Sequence, residues 1–147
     1  MQTPEPQQRE RSTGPMGGDG LAEVDSPVEV RVHAYAALIP SVRAVAADLA
    51  ARADFDLDAV SDLRMAVDEA CSALVGLSVP GGQLRCAFTV LDGRIDVIAR
   101  VPVDDTAVLR QDTFGWRVLT TLADDAVALA EDPGWLGIHL RKERLTS

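Results

Sequence analysis

The sequence of 147 residues is poor in the residue types that build metal sites and disulfide frameworks. It contains no asparagine, a single lysine, two histidines and two cysteines, and aromatic residues make up only 4% of it. Two thiols are too few for a disulfide framework or a cysteine-based zinc site, and the two histidines lack the spacing of metal ligands. We therefore expect no metal site built from these side chains.

Long apolar runs are also absent from the sequence. No stretch reaches the ~18 apolar residues that a membrane helix requires. Residues 1–25 lack the apolar segment of a secretory signal. These two absences predict a protein without a membrane association, located in the cytoplasm.

Positive charge is scarce, because 14 Lys and Arg residues face 23 Asp and Glu residues and leave a net charge of -9. Non-specific nucleic-acid binding depends on cations that neutralise phosphates, so a nucleic-acid partner is not expected. An acidic surface favours a basic partner protein, or serves solubility.

Two regions differ in composition. Residues 1–26 are rich in proline, glycine and glutamine and show no hydrophobic periodicity, which predicts a disordered arm. Residues 27–147 form one predicted domain. In it, valines alternate with polar residues over 28–33, as in a strand, and helical spacing follows from Ile39 to Ala53. A second helix carries an apolar stripe from Val60 to Leu74, with Asp56 or Asp58 as its cap.

The rest of the chain predicts two hairpins separated by a helix. Alternating apolar residues on both sides of Asp92 and Gly93 indicate the first hairpin. Trp116 opens the apolar pattern of a third helix, and short strands are expected over 126–130 and 136–140. Because hairpins dominate the strand connections, the order predicts an α/β two-layer sandwich, with helices on one face of a mostly antiparallel sheet.

The second helix carries the most informative side chains. Glu69 and Ala73 share one helix face, and Arg64 and Asp68 share the neighbouring one. A carboxylate beside the sheet could act as a general base, although a glutamate on a helix surface is more often simply solvated.

The run Leu63–Leu74 resembles the helix of the GHKL ATPases that reads Glu-Ala-x-x-Asn-Ala, in particular that of the RsbW-type anti-sigma factor kinases. The segments 55–60 and 114–125 are similar to actinobacterial anti-sigma-F factors. This resemblance covers about residues 28–145 and implies the Bergerat fold of that superfamily, which has the element order derived above.

The resemblance also implies what each position would do in an active relative. Glu69 matches the base that activates the attacking hydroxyl, whereas Ala73 stands where an asparagine binds magnesium. An alanine cannot coordinate a metal, and the sequence contains no asparagine that could replace this ligand. Ser72 is adjacent but lies roughly 100° around the helix from Ala73.

Two further motifs of the family are altered. Arg100 is expected at the position of the aspartate that accepts a hydrogen bond from the adenine amino group, and Pro102 at the position of a glycine. Because a guanidinium group only donates hydrogen bonds, Arg100 cannot replace that aspartate. Asp104 or Asp105 could restore the contact only in a shifted loop. The phosphate-binding glycine lid is reduced to Thr113–Trp116, which retains Gly115. We expect its two aromatic residues to fill the vacated pocket or to pack at an interface.

These three defects predict a degenerate nucleotide site with weak or absent kinase activity, and no cofactor; ATP and magnesium are expected only if the site still works. The resemblance then implies an anti-sigma factor that sequesters a sigma-F-type sigma factor. It would be countered by an anti-anti-sigma (STAS-type) protein.

Arg43 matches a partner-binding arginine of the family, and a solvated helix arginine is the alternative interpretation. A homodimer is expected through the first strand and helix, with Val28, Val30, Ile39 and Val42 divided in an unknown way between core and interface.

Two alternatives remain open. The first is an active ATP-dependent serine protein kinase that phosphorylates an anti-anti-sigma factor, with Glu69 as its base. The second is a small-ligand or redox sensor with Cys71 or Cys86 as the switch, although the apolar neighbours of both thiols predict that they are buried and inert.

Overall fold

The computed structural model describes residues 27–130 and 132–145, so the arm predicted for residues 1–26 lies outside the described residues. The described chain forms five strands, three helices and one short 3-10 helix. In chain order they are β1 (Val28–His33), the 3-10 helix (Ala36–Leu38), α1 (Ile39–Arg52), α2 (Leu57–Val75), β2 (Gln83–Leu91), β3 (Arg94–Pro102), α3 (Phe114–Leu122), β4 (Asp125–Leu129) and β5 (Trp135–Glu143).

The five strands form one sheet in the order β1-β2-β3-β5-β4, and every neighbouring pair is antiparallel. Alternate side chains of β2 and β3 are buried, because the three helices cover one face of the sheet and leave the other open. The predicted α/β two-layer sandwich with an antiparallel sheet is therefore confirmed.

The core lies between α2 and the helix-covered face of the sheet. Buried residues recur along α2 at helical spacing, from Ala59 and Leu63 to Ala70 and Leu74. Three of the buried residues on this helix are alanines, and small side chains allow the helix to approach the sheet closely. Every buried side chain of the core in the described chain is apolar, so burial of hydrophobic surface stabilises the fold.

The two cysteines meet across this interface. The Sγ atoms of Cys71 on α2 and Cys86 on β2 are 3.8 Å apart, and both residues are buried. The hydrogen bond with Cys86 and burial together raise the pKa of the Cys71 thiol well above its ordinary value, which keeps it protonated. The prediction of buried thiols is confirmed.

Local signals in the sequence account for the helix ends and for the tight turn. Pro40 lies in the first turn of α1, where its missing N–H costs no hydrogen bond. The helix α2 ends at Gly76. Gly93 has a φ of +74°, a conformation that glycine adopts without steric cost in the turn between β2 and β3.

The structure also divides the apolar residues of the first strand and helix. Ile39 and Val42 lie on α1 and are buried in the core, whereas Val28 is 42% exposed at the start of the edge strand β1. Val30 is only partly buried. Within the residues that the structure describes, no helix is both long enough and apolar enough to cross a membrane.

The N-terminus of α2 decides between its two candidate caps. The Oδ1 atom of Asp56 accepts a hydrogen bond of 2.8 Å from the backbone N–H of Ala59, whereas Asp58 lies within the first turn. We predict that Asp56→Ala lowers the free energy of unfolding by about 1 kcal/mol, because a helix N–H loses its partner. Urea denaturation measures this change. The matched variant Asp58→Ala should lose less, and an equal loss in both variants would contradict the assignment of the cap.

Candidate functional site

A pocket of about 430 Å³ lies between the second half of α2, the N-terminus of α3 and the loop that precedes α3. Glu69, Ser72 and Ala73 line it from α2, and Thr113, Gly115 and Trp116 line it from the start of α3. Apolar side chains complete the walls, namely Leu77, Val108, Leu109 and Leu119. The pocket therefore joins the two family motifs that sequence analysis identified on α2 and α3.

The carboxylate of Glu69 lies against the first turn of α3. A Cβ atom placed on Gly115 would come within 2.8 Å of the Oε1 atom of Glu69, so only glycine leaves the carboxylate its present position. The N-terminus of a helix carries partial positive charge from its free N–H groups. The placement of Glu69 is therefore electrostatically favourable without any ligand.

The next turn of α2 supplies one hydroxyl group to the pocket. Ala73 lines the wall as predicted and offers no oxygen atom. Ser72 lines the pocket as well, although sequence analysis set it aside because of its angle from Ala73. Ser72 lies three residues after Glu69, and residues three apart on a helix are neighbours. This spacing could have predicted that Ser72 lines the same pocket as Glu69.

The start of α3 is fixed by a side-chain cap. The Thr113 hydroxyl accepts a hydrogen bond of 3.1 Å from the backbone N–H of Trp116. Trp116 is half-buried in the pocket wall, but Phe114 is 80% exposed. The two aromatic residues therefore separate: Trp116 lines the pocket, whereas Phe114, the first residue of α3, is not among the lining residues, which leaves packing at an interface as the expectation for it.

The loop before α3 is held by its own side chains. The Oδ1 atom of Asp104 accepts hydrogen bonds from the backbone N–H and the hydroxyl of Thr106, at 2.9 and 2.7 Å, and these bonds lower the pKa of the Asp104 carboxyl. The guanidinium of Arg110 donates two hydrogen bonds to the Asp112 carboxylate, at 3.0 and 2.7 Å. The hydrogen bond from Arg110 lowers the pKa of Asp112, so the arginine that lines the pocket is already paired with a carboxylate.

The remaining predicted nucleotide positions do not line this pocket. Arg100 lies on the open face of the sheet, and its Nη1 atom is 3.7 Å from a carboxylate oxygen of Asp132. Alternate residues of a strand point to opposite faces, and it is the neighbour Val101 that is buried under the helices. Pro102 accepts a hydrogen bond from Val79 through its carbonyl oxygen. Pro102 and Asp104, like Arg100, are not among the pocket-lining residues. Of the predicted nucleotide positions, the structure thus brings four together in the pocket: Glu69, Ala73, Thr113 and Gly115.

Arg43 has a specific partner within the chain. Its Nη1 atom donates a hydrogen bond of 2.7 Å to the Oδ1 atom of Asp68, which precedes Glu69 on α2. The two side chains are 37% and 34% exposed, so the pair is accessible at the surface where α1 meets α2. A guanidinium carries five N–H donors, and the bond to Asp68 uses one of them.

The chemistry available in the pocket is narrow. Glu69 contributes a carboxylate and Ser72 and Thr113 contribute hydroxyls, while most of the wall is apolar. Over residues 27–130 and 132–145, no group of three or more His, Cys, Asp or Glu side chains lies close enough to hold a metal ion. The arrangement can accept a proton or bind a neutral or cationic group, but it offers few oxygen donors for a cation such as Mg²⁺.

Comparisons with known proteins connect the chain to one kind of regulatory protein. No family model matches the chain. Over 98 residues, the chain is 36% identical to proteins from two strains of Mycobacterium tuberculosis, each named anti-sigma-F factor RsbW. The aligned segment is 67% of this chain and 58% of each relative, so the chain spans little more than half the length of these relatives.

The close approach of Glu69 to Gly115 leads to a test of the site geometry. Alanine is favoured over glycine within a helix by about 1 kcal/mol. We predict that Gly115→Ala yields this gain in full only in a Glu69→Ala background, because in the unmodified protein the new methyl group must displace the carboxylate. Urea denaturation of the two single variants and the double variant measures the coupling. Equal effects of Gly115→Ala in both backgrounds would contradict the contact.

Proposed function

We propose that this RsbW-type anti-sigma factor binds a sigma factor of the sigma-F type and holds it away from RNA polymerase, in the cytoplasm. The observation that carries the proposal is the identity of 36% over 98 residues to proteins named anti-sigma-F factors. The charge of the chain supports it, since a protein with a net charge of -9 suits the basic surface of a partner that binds nucleic acid.

The pocket supports binding rather than phosphate chemistry. A magnesium ion prefers about six oxygen ligands. The pocket offers one carboxylate, and Ala73 provides no donor on the next turn. The arginine in the lining, Arg110, is committed to Asp112. In this proposal the pocket does not hold Mg-ATP with the affinity of an active kinase, and the fold acts as a docking body.

Two further partners belong to the same proposal. An anti-anti-sigma protein of the STAS type would compete with the sigma factor for this chain and release it. A second copy of the chain would pair along β1, where the outer edge of the sheet carries exposed apolar side chains. Val28 at the start of β1 is 42% exposed, and Tyr35, which follows the strand, is 57% exposed. An edge strand with such residues is a template for pairing with another chain.

Arg43 is the residue that we place at the partner interface. The hydrogen bond that Arg43 donates to Asp68 holds its guanidinium in one position and leaves further N–H groups to bind a partner carboxylate or carbonyl. A side chain that is already ordered loses less conformational entropy on binding. Arginine is enriched among the side chains that dominate binding energy at protein interfaces.

The first test of this function is binding to a purified sigma-F-type factor. Isothermal titration should detect a direct complex, and Arg43→Ala should weaken it by roughly tenfold or more, as expected for a central arginine contact. Asp68→Asn should weaken it less, because the guanidinium remains and is held only by a neutral amide oxygen, a weaker acceptor than the carboxylate.

A matched control is available on the same helix. Arg52 also forms an ion pair with an aspartate, Asp48, but its side chain is 77% exposed at the far end of α1. Arg52→Ala should therefore leave the affinity unchanged. No complex with the unmodified protein would refute the proposed function, and equal losses for Arg43→Ala and Arg52→Ala would refute the role of Arg43.

A second candidate function, ATP-dependent phosphorylation of an anti-anti-sigma protein, is favoured by one observation. Glu69 lies in the pocket beside the N-terminus of α3, the place where a base and a phosphate-binding helix end would have to meet. The two functions differ in a single measurable property, which is the affinity for Mg-ATP.

Titration calorimetry with Mg-ATP separates these functions. We expect no measurable heat for the unmodified chain. The Ala73→Asn variant should gain binding because it restores an oxygen donor one turn after Glu69. Ala73→Leu, which adds volume without a donor, is the control. Strong Mg-ATP binding by the unmodified chain, with transfer of phosphate to the anti-anti-sigma protein, would establish the kinase function instead.

A further inference from the structure

The open face of the sheet carries three arginines in direct register. Arg31 of β1 pairs with Arg85 of β2, and Arg85 pairs with Arg100 of β3. Directly opposite residues of antiparallel strands lie on the same face, so the three side chains form one row across three strands, which we call the arginine row. Like charges directly opposite each other destabilise a sheet, so this arrangement has a cost in the isolated protein.

The charge of the arginine row is only loosely compensated within the described chain. Arg31 lies 3.4 Å from the Glu29 carboxylate, with both side chains more than half exposed. Arg100 lies 3.7 Å from Asp132, whose side chain is 71% exposed. Exposed pairs at these distances contribute little to stability, so another carboxylate can replace them at low cost.

An aromatic side chain and two shallow pockets accompany the arginine row. The guanidinium carbon of Arg85 lies 5.1 Å from the centre of the Trp135 ring, a geometry typical of a cation–π contact. Pockets of about 230 and 220 Å³ adjoin the row and share Arg100. Gly137 lies opposite Arg100 on β5, where a Cβ atom would come within 2.8 Å of the Ala99 carbonyl oxygen. Any side chain at position 137 would therefore crowd the backbone of β3 and the Cβ atom of Arg100, which would lie 3.3 Å away.

We infer that the arginine row is a docking surface for an acidic peptide segment of another protein, bound in an extended conformation across the strands. Guanidinium and carboxylate groups form strong paired hydrogen bonds. Neighbouring strands lie about 4.8 Å apart, and alternate side chains of an extended peptide lie about 6.6 Å apart. Carboxylates at alternate peptide positions can therefore each reach a guanidinium of the row. The net charge of -9 repels any polyanion, but it repels nucleic acid more strongly, because duplex DNA carries one charge per about 1.7 Å and such a peptide only one per about 6.6 Å.

Fluorescence anisotropy with a labelled peptide of alternating glutamate and alanine, about twelve residues long, tests the inference. The full chain should bind it, and binding should weaken as salt increases. Arg85→Ala should lower the affinity about tenfold, the effect of losing one charged hydrogen-bonded contact. Replacing all three arginines of the row with alanine should abolish binding. Arg52→Ala, which removes an exposed arginine on α1, is the matched control and should bind like the unmodified chain.

Four outcomes would overturn the inference. The corresponding glutamine–alanine peptide could bind equally well, or Arg52→Ala could weaken binding as much as Arg85→Ala. A single-stranded oligonucleotide could bind to the arginine row more tightly than the acidic peptide. Alternatively, sedimentation could show that the arginine variants change the oligomeric state, which would assign the surface to a second copy of the chain. Circular dichroism and thermal melting of each variant show whether the sheet remains folded.

Discussion

The packing of α2 against the sheet is the constraint on which the site depends. Each functional position on this helix is next to a residue that the core buries completely. Glu69 precedes the buried Ala70, and Ser72 follows the buried Cys71. Because a helix is rigid, burial of one side chain determines where its neighbour lies. The α2 wall of the pocket is thus positioned by hydrophobic contacts, whereas the α3 side is held by the Thr113 cap and the Arg110–Asp112 pair.

The same arrangement separates the stability of the fold from the chemistry of the pocket. In the described chain, the fully buried side chains are apolar and the pocket lies at the edge of that core. A change at a rim position such as Ala73, which is exposed, leaves the packing of α2 intact. Substitutions at this rim can therefore change the chemistry of the pocket without a loss of core packing. Glu69 retains a structural setting through its contact with the start of α3.

The two faces of the sheet have opposite chemistry, and the strands alternate between them. Val101 of β3 is buried beneath the helices, while Arg100 lies on the open face near Asp132. A difference of one residue in the register of a motif therefore moves a side chain from one face to the other. This alternation accounts for the absence of Arg100 from the pocket, and it places that residue in the arginine row instead.

Local structure is determined by hydrophobic periodicity, turn residues and helix caps. The sequence by itself therefore established the element order and the antiparallel two-layer architecture, together with the turn at Gly93 and the end of α2 at Gly76. It also placed Glu69 and Ala73 on one helix face, because helical spacing is a local property. Only the tertiary structure decided which of Asp56 and Asp58 caps α2, that Arg43 pairs with Asp68, that the two thiols meet and that Phe114 lies outside the pocket. The cap depends on the residue at which the first helical turn begins, whereas the Arg43–Asp68 pair and the thiol contact depend on residues far apart in the chain. Hydrophobic periodicity specifies neither.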